Sequence, residues 1–322
     1  MVSGIAFALA AGMMWGLVFI APLLLPEYPA ALQSFGRYLA FGLIALPLGW
    51  FDRAELSRFS RADWLDALKL SMVGNIMYYL FLASAIQRAG APLPTMIIGT
   101  LPVVISICAN QMNHQRDGQL PWKKLLPALA VILLGIGCVN QAELQEIAQH
   151  ASADQQSRYA YGALFALGAL ACWTWYPIQN ARWLRAHQGR KPRAWATAQG
   201  LMTLPLAVIG YALYWGWVSH VPHEAFSMPF GPRPAVFIGL MITIGLLSSW
   251  IGTLCWNEAS QRLTTAMVGQ LIVFETLAAL VYAYLLRGQW PPVLTLLGIG
   301  LLLVGVLWAV RIKPRFQGEI AH

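Results

Sequence analysis

Apolar residues along this chain are collected into long blocks, with the charges gathered between them. Ten blocks of spanning length can be read, at 3–24, 31–50, 65–86, 93–111, 122–139, 161–183, 193–217, 235–256, 265–286 and 293–310. Each matches the ~17–25 residues that carry an α-helix across ~30 Å of hydrocarbon. Helices satisfy their backbone hydrogen bonds internally, which lipid demands. The pattern predicts an all-α, polytopic membrane protein with ten transmembrane helices. Composition agrees: 58% of the 322 residues are hydrophobic and 11% charged, where soluble domains carry about 25% charged residues.

The charges then set an orientation. Sixteen of the 21 Lys and Arg residues fall in alternate loops: Arg53 to Lys69, Arg116 to Lys124, Arg182 to Arg193, Arg262, and Arg311 to Arg315. Arg88, Arg158, Arg233 and Arg287 fall on the other side, and Arg37 lies within a span. The positive-inside rule predicts that both termini are cytoplasmic, in a bacterial inner membrane. The net charge of +8 follows from this asymmetry. It forms no separate basic face, which argues against a nucleic-acid partner. Ala8-Leu-Ala10 resembles a signal-cleavage site, but no Lys or Arg precedes it. The first block is read as an uncleaved helix.

The ten blocks also repeat. Ala85-Ile-Gln-Arg88 returns as Ala259-Ser-Gln-Arg262, and Gly118-Gln-Leu-Pro121 as Gly288-Gln-Trp-Pro291. Gly4, Phe7, Leu9 and Trp15 align with Gly162, Phe165, Leu167 and Trp173. The offsets, 174, 170 and 158 residues, predict a duplicated five-helix unit: 1–140, then an extracytoplasmic linker 141–158, then 159–316, with a cytoplasmic tail 317–322. An odd number of spans per unit makes the halves inverted repeats, a plan typical of secondary transporters with a site between the halves.

Three short runs carry a family resemblance: Phe35-Gly-Arg-Tyr38 in the second span, Ala85 through Arg88 to Leu101-Pro-Val103, and Phe274-Glu-Thr276 in the ninth. With the 5+5 plan, the chain resembles the drug/metabolite transporter superfamily, EamA-type. The Trp-rich helices are most similar to bacterial exporters of aromatic and neutral amino acids. Thr276 departs from the Glu-Pro common in that ninth helix, which leaves the carboxylate in place without a proline break.

Candidate site residues come from polar and aromatic positions on single helical faces. Ser71, Asn75 and Tyr78, with Tyr79 beside them, form one stripe in the third span; Ser249, Thr253 and Trp256 form its counterpart in the eighth. Polar groups facing lipid cost several kcal/mol, so these stripes line a cavity or hydrogen-bond to a neighbouring helix. Trp15 and Trp173 occupy matched mid-helix positions, where they serve as aromatic walls for substrate or as core packing. Arg37 and Glu275 lie deepest, roughly 10 and 16 Å below the outer edge at ~1.5 Å per residue. A charge there costs ~2.5–3.5 kcal/mol on insertion scales, so each must snorkel, pair or line water. Glu275 is too short to snorkel. It either pairs structurally, Arg37 being one partner, or handles a substrate amine or proton.

Other chemistry finds no foothold. The six histidines lie in loops or at the terminus, the four cysteines lack metal or redox spacing, and no phosphate-binding glycine loop occurs. No catalytic residue, metal or cofactor is expected. The reading is a secondary exporter of small amphipathic metabolites, aromatic or neutral amino acids first, by alternating access, whether proton-coupled or facilitated. Its partners are a small-molecule substrate and membrane lipid, with a monomer as the working form. The alternatives are a multidrug exporter of the same fold and a non-transporting accessory subunit.

Overall fold

The computed structural model describes residues 2–89, 92–112, 120–150, 153–220, 226–288, 290–313 and 315. Arg116, His114, Gly118 and the tail 317–322 lie outside the described residues. The chain forms helical rods α1 (Val2–Leu24), α2 (Ala30–Phe51), α3 (Arg61–Ala89), α4 (Leu93–Gln111), α5 (Trp122–His150), α6 (Ala153–Ala186), α7 (Pro192–His220), α8 (Pro234–Arg262), α9 (Thr265–Leu286) and α10 (Val293–Val310). All but α6 are long and apolar enough, among the described residues, to cross a membrane. In α6 the run Trp173-Thr-Trp-Tyr-Pro177 dilutes the aliphatic content.

Several rods outrun their apolar blocks because capping carries them into the polar zone. Ser60 caps α3: its hydroxyl accepts from the Asp63 N–H at 3.2 Å, and Asp63 accepts from the Ser60 N–H at 2.8 Å. Such a cap is worth about 1 kcal/mol. Thr264 caps α9, and Gly288, at φ +62°, closes its C-terminal end in the left-handed region that glycine tolerates. The expected linker 141–158 is helical in backbone over 141–150 and 153–158.

Two rods contain π-helical turns, α3 at Ser71–Met77 and α8 at Gly245–Ile251. Their positions differ by the 174 residues that separate Ala85 from Ala259. Each widened turn re-aims the side chains beyond it, which is why such turns collect at functional sites. α4 is interrupted at Thr100, ahead of Pro102, and α9 at Ile272, three residues before Glu275.

The rods pack in matched partnerships. α2 lies on α7 and α5 on α10; α1 contacts α8 and α9, while α6 contacts α3 and α4. Small residues allow the close approaches. A Cβ on Gly74 would stand 2.1 Å from Cδ2 of Tyr176, so only glycine fits where α3 meets α6. Leu43, Leu134, Leu213 and Leu307 remain exposed on outer faces, as lipid contact requires. The interior therefore receives the polar and aromatic residues.

Candidate functional site

Arg37 projects from α2 into this interior and is 5% exposed. It does not snorkel. Its Nε donates to the Ser249 hydroxyl in the π turn of α8 at 2.9 Å. Its guanidinium carbon lies 4.9 and 4.7 Å from the ring centres of Tyr38 and Tyr79. Cation–π contacts of this kind give ~0.5–2 kcal/mol, more when desolvated. Nη1 of Arg37 has no hydrogen-bond partner.

Glu275, on α9, is 2% exposed and its Oε2 is likewise unpartnered. The two charges do not form an ion pair: their charged atoms are more than 4.0 Å apart. Tyr78 stands within electrostatic reach of both. The Trp173 indole is close enough to polarise Glu275, yet the pair misses hydrogen-bond geometry and Trp173 Nε1 stays free.

Aromatic rings join these charges into one cluster. Trp173 stacks on Tyr78 at 4.6 Å and on Tyr176 at 4.9 Å, and meets Trp15 edge-on at 5.0 Å. Trp15 also packs on Trp256 at 4.9 Å. Trp15 is anchored reciprocally: its Nε1 donates to the Ser248 carbonyl at 2.9 Å, and the Ser248 hydroxyl donates to the Met14 carbonyl at 2.6 Å. Tyr78 OH and Trp256 Nε1 are unpartnered.

The remaining expected residues sit on the margin of this cluster. Asn75 donates to the Thr203 hydroxyl of α7 at 3.1 Å, an interhelical bond. Tyr79 reaches the Val18 carbonyl at 3.4 Å while its ring underlies Arg37. Thr253 adjoins the Tyr176 hydroxyl.

A second polar layer escaped the sequence reading. Tyr176 OH donates to Gln199 Oε1 at 2.8 Å, and Gln199 Nε2 donates to Asn180 Oδ1 at 3.1 Å. Trp195 Nε1 donates to the same Asn180 oxygen, while Asn180 Nδ2 donates to Asn257 Oδ1, both at 2.8 Å. Three amides, two inside apolar runs and Asn257 just past the end of one, were the available signal, but they lie on three different helices. Their convergence is a property of packing.

The two ends of the bundle are tied by charged contacts. At one end, buried Asp52 accepts from Arg193 Nε at 3.0 Å and from Thr197 at 3.1 Å, joining α2 to α7. At the other, Arg233, just before α8, pairs with Glu27 in the α1–α2 loop. The Arg233 hydrogen bond holds the Glu27 carboxyl below its ordinary value. A cavity of about 530 Å³ opens beside Glu27, Tyr28 and Gln87. Another of about 330 Å³ opens at the opposite end, between Lys69 on α3 and Arg182 on α6. Among the described residues, no three His, Cys, Asp or Glu side chains converge as a metal site.

Residues 2–141 match the EamA-like transporter family. Over 315 residues, 98% of this chain and 97% of the relative, the chain is 56% identical to the inner membrane protein YtfF of Escherichia coli K12. A probable terminal-alkyne amino-acid exporter of Streptantibioticus cattleyicolor is 33% identical over 103 residues, 32% of this chain and 35% of that protein. A crystal structure of a protein 16% identical in sequence superposes with a TM-score of 0.68 over 95% of this chain and 97% of its own. At that identity the likeness concerns the fold alone.

Proposed function

Because the chain belongs to the EamA-like transporter family, we propose that it is a secondary exporter of small amphipathic metabolites, amino acids foremost. The observation that carries this reading is the buried cluster between the π turns. There, a guanidinium and a carboxyl that do not pair with each other, and three free polar atoms, lie among aromatic rings where a structural core would pair or omit them. The name of the Streptantibioticus relative points to amino-acid export in part of the family.

The working form is a ten-helix bundle of two inverted five-helix units, divided at 141–158, with α6 as the tenth span. The matched π turns and the matched packing partnerships support that division. The likeness to YtfF supports an inner-membrane location, and the Lys and Arg distribution puts both termini on the cytoplasmic side. On this orientation Asp52–Arg193 closes the cytoplasmic end and Glu27–Arg233 the outer end, and transport opens them alternately. The substrate is held among Arg37, Tyr78, Tyr79, Ser249, Thr253, Trp256 and Glu275, with Trp15 and Trp173 as walls and Asn75 at the α7 margin.

Uptake by the purified protein in liposomes tests this. Flux of a neutral or aromatic amino acid is expected. Robust flux of lipophilic cations with none of any amino acid would make it a multidrug exporter instead.

A further inference from the structure

The unpaired atoms of the central cluster define what a ligand there must bring. Nη1 of Arg37, OH of Tyr78 and Nε1 of Trp173 and Trp256 offer protons; Oε2 of Glu275 accepts them. All five side chains are at least nine-tenths buried, at 5, 3, 6, 1 and 2% exposure in that order. An ionisable group buried without a partner is costly to charge, and these two do not pair with each other, so each gains most from a ligand group of opposite charge. One molecule that satisfies the set needs an acceptor-rich anionic group and an ammonium. A simple amine would serve Glu275 and leave Arg37 bare; a simple acid would do the reverse.

We propose that Arg37 and Glu275 are the two poles of one site that takes a zwitterion, carboxylate at Arg37 and ammonium at Glu275. Arg37 suits the carboxylate role. Ser249 and the rings of Tyr38 and Tyr79 hold its guanidinium while leaving Nη1 for the ligand. Tyr78, stacked on Trp173 and within electrostatic reach of both charges, sits between the poles as a hydroxyl donor. The Trp15–Trp173–Tyr176 rings remain for the apolar part of the ligand. This rests on the exporter reading and narrows it: selection acts on the paired charges of the molecule, ahead of the shape of its side chain.

The test measures binding of L-phenylalanine, its methyl ester, phenethylamine and 3-phenylpropionate to detergent-purified protein by tryptophan fluorescence, alongside phenylalanine flux in liposomes. Wild type is expected to prefer the zwitterion by about 10-fold or more over each single-charge analogue, the size of a lost hydrogen bond to a charged group. R37Q should abolish the preference over the ester and the amine, and E275Q the preference over phenylpropionate. R37K and E275D should restore part of each. Equal binding of all four ligands by wild type overturns the two-pole site, whether or not the neutral variants fold. Losses in R37Q and E275Q that are uniform across the four ligands overturn it too. Zwitterion-selective binding without flux would leave the site standing and remove the exporter reading. Flux without charge selectivity would do the opposite.

Discussion

The Arg37 Nε–H donates to the Ser249 hydroxyl at 2.9 Å, tying α2 to the π turn of α8 across 212 positions of sequence. This bond aims a buried cation at the cluster and leaves one of its nitrogens free. S249A should reduce transport by about 10-fold, the value of a hydrogen bond to a charged group. S249T, which keeps the hydroxyl, should recover most of it. Initial rates in liposomes, with elution profiles as a folding check, decide the matter.

Gly74 is where α3 touches the ring of Tyr176. G74A has no room for its methyl and must push the π turn away from α6. Overpacking of this kind costs about 1–3 kcal/mol. A lowered thermal midpoint in detergent is expected, and an unchanged midpoint would refute the tight contact.

Trp15 carries the only indole N–H of the central ring cluster that is hydrogen-bonded among the described residues. W15F keeps a ring but strands the Ser248 carbonyl, at about 1–3 kcal/mol. W15F should therefore melt earlier than wild type, whereas W256F, which loses an N–H that is already free, should change the midpoint less.

The Glu27–Arg233 pair makes a pH prediction. The Arg233 hydrogen bond holds the Glu27 carboxyl below its ordinary value, so it binds fewer protons in the folded protein than in the unfolded chain. Its stabilisation is present above that ordinary value and is lost as pH falls through the lowered one. The stability difference between wild type and E27Q should be constant from about pH 6 to 8 and close below about pH 4. Both side chains are partly exposed, so added salt should shrink the difference throughout.

A fluorescent protein fused to the C-terminus should light up in bacterial cells, and a periplasmic phosphatase fused there should be inactive. The opposite pair of results would invert the membrane orientation drawn from the Lys and Arg distribution.

Length and solvent explain what could be read without coordinates. A run of apolar residues long enough to cross hydrocarbon has one favourable backbone form, so the helices α1–α10 follow from local composition. The family was legible by resemblance, in short runs such as Phe35-Gly-Arg-Tyr38. The intramembrane charges Arg37 and Glu275 announce themselves, because lipid makes any charge costly.

Their partners do not. Arg37 and Glu275 were candidates for each other, and Arg37 for snorkelling, but the packing of α2 against α8 gave Arg37 to Ser249 and left Glu275 facing Trp173. The stripe Asn75–Tyr78 looked uniform, yet the π turn splits it, Asn75 toward Thr203 and Tyr78 toward Trp173. Gln199, Asn180 and Asn257 meet only because three rods converge. Helix formation is decided within a few residues by the solvent around the chain. Which helical face meets which is decided by side-chain volumes and hydrogen bonds between segments far apart in sequence, and only the assembled bundle brings those together.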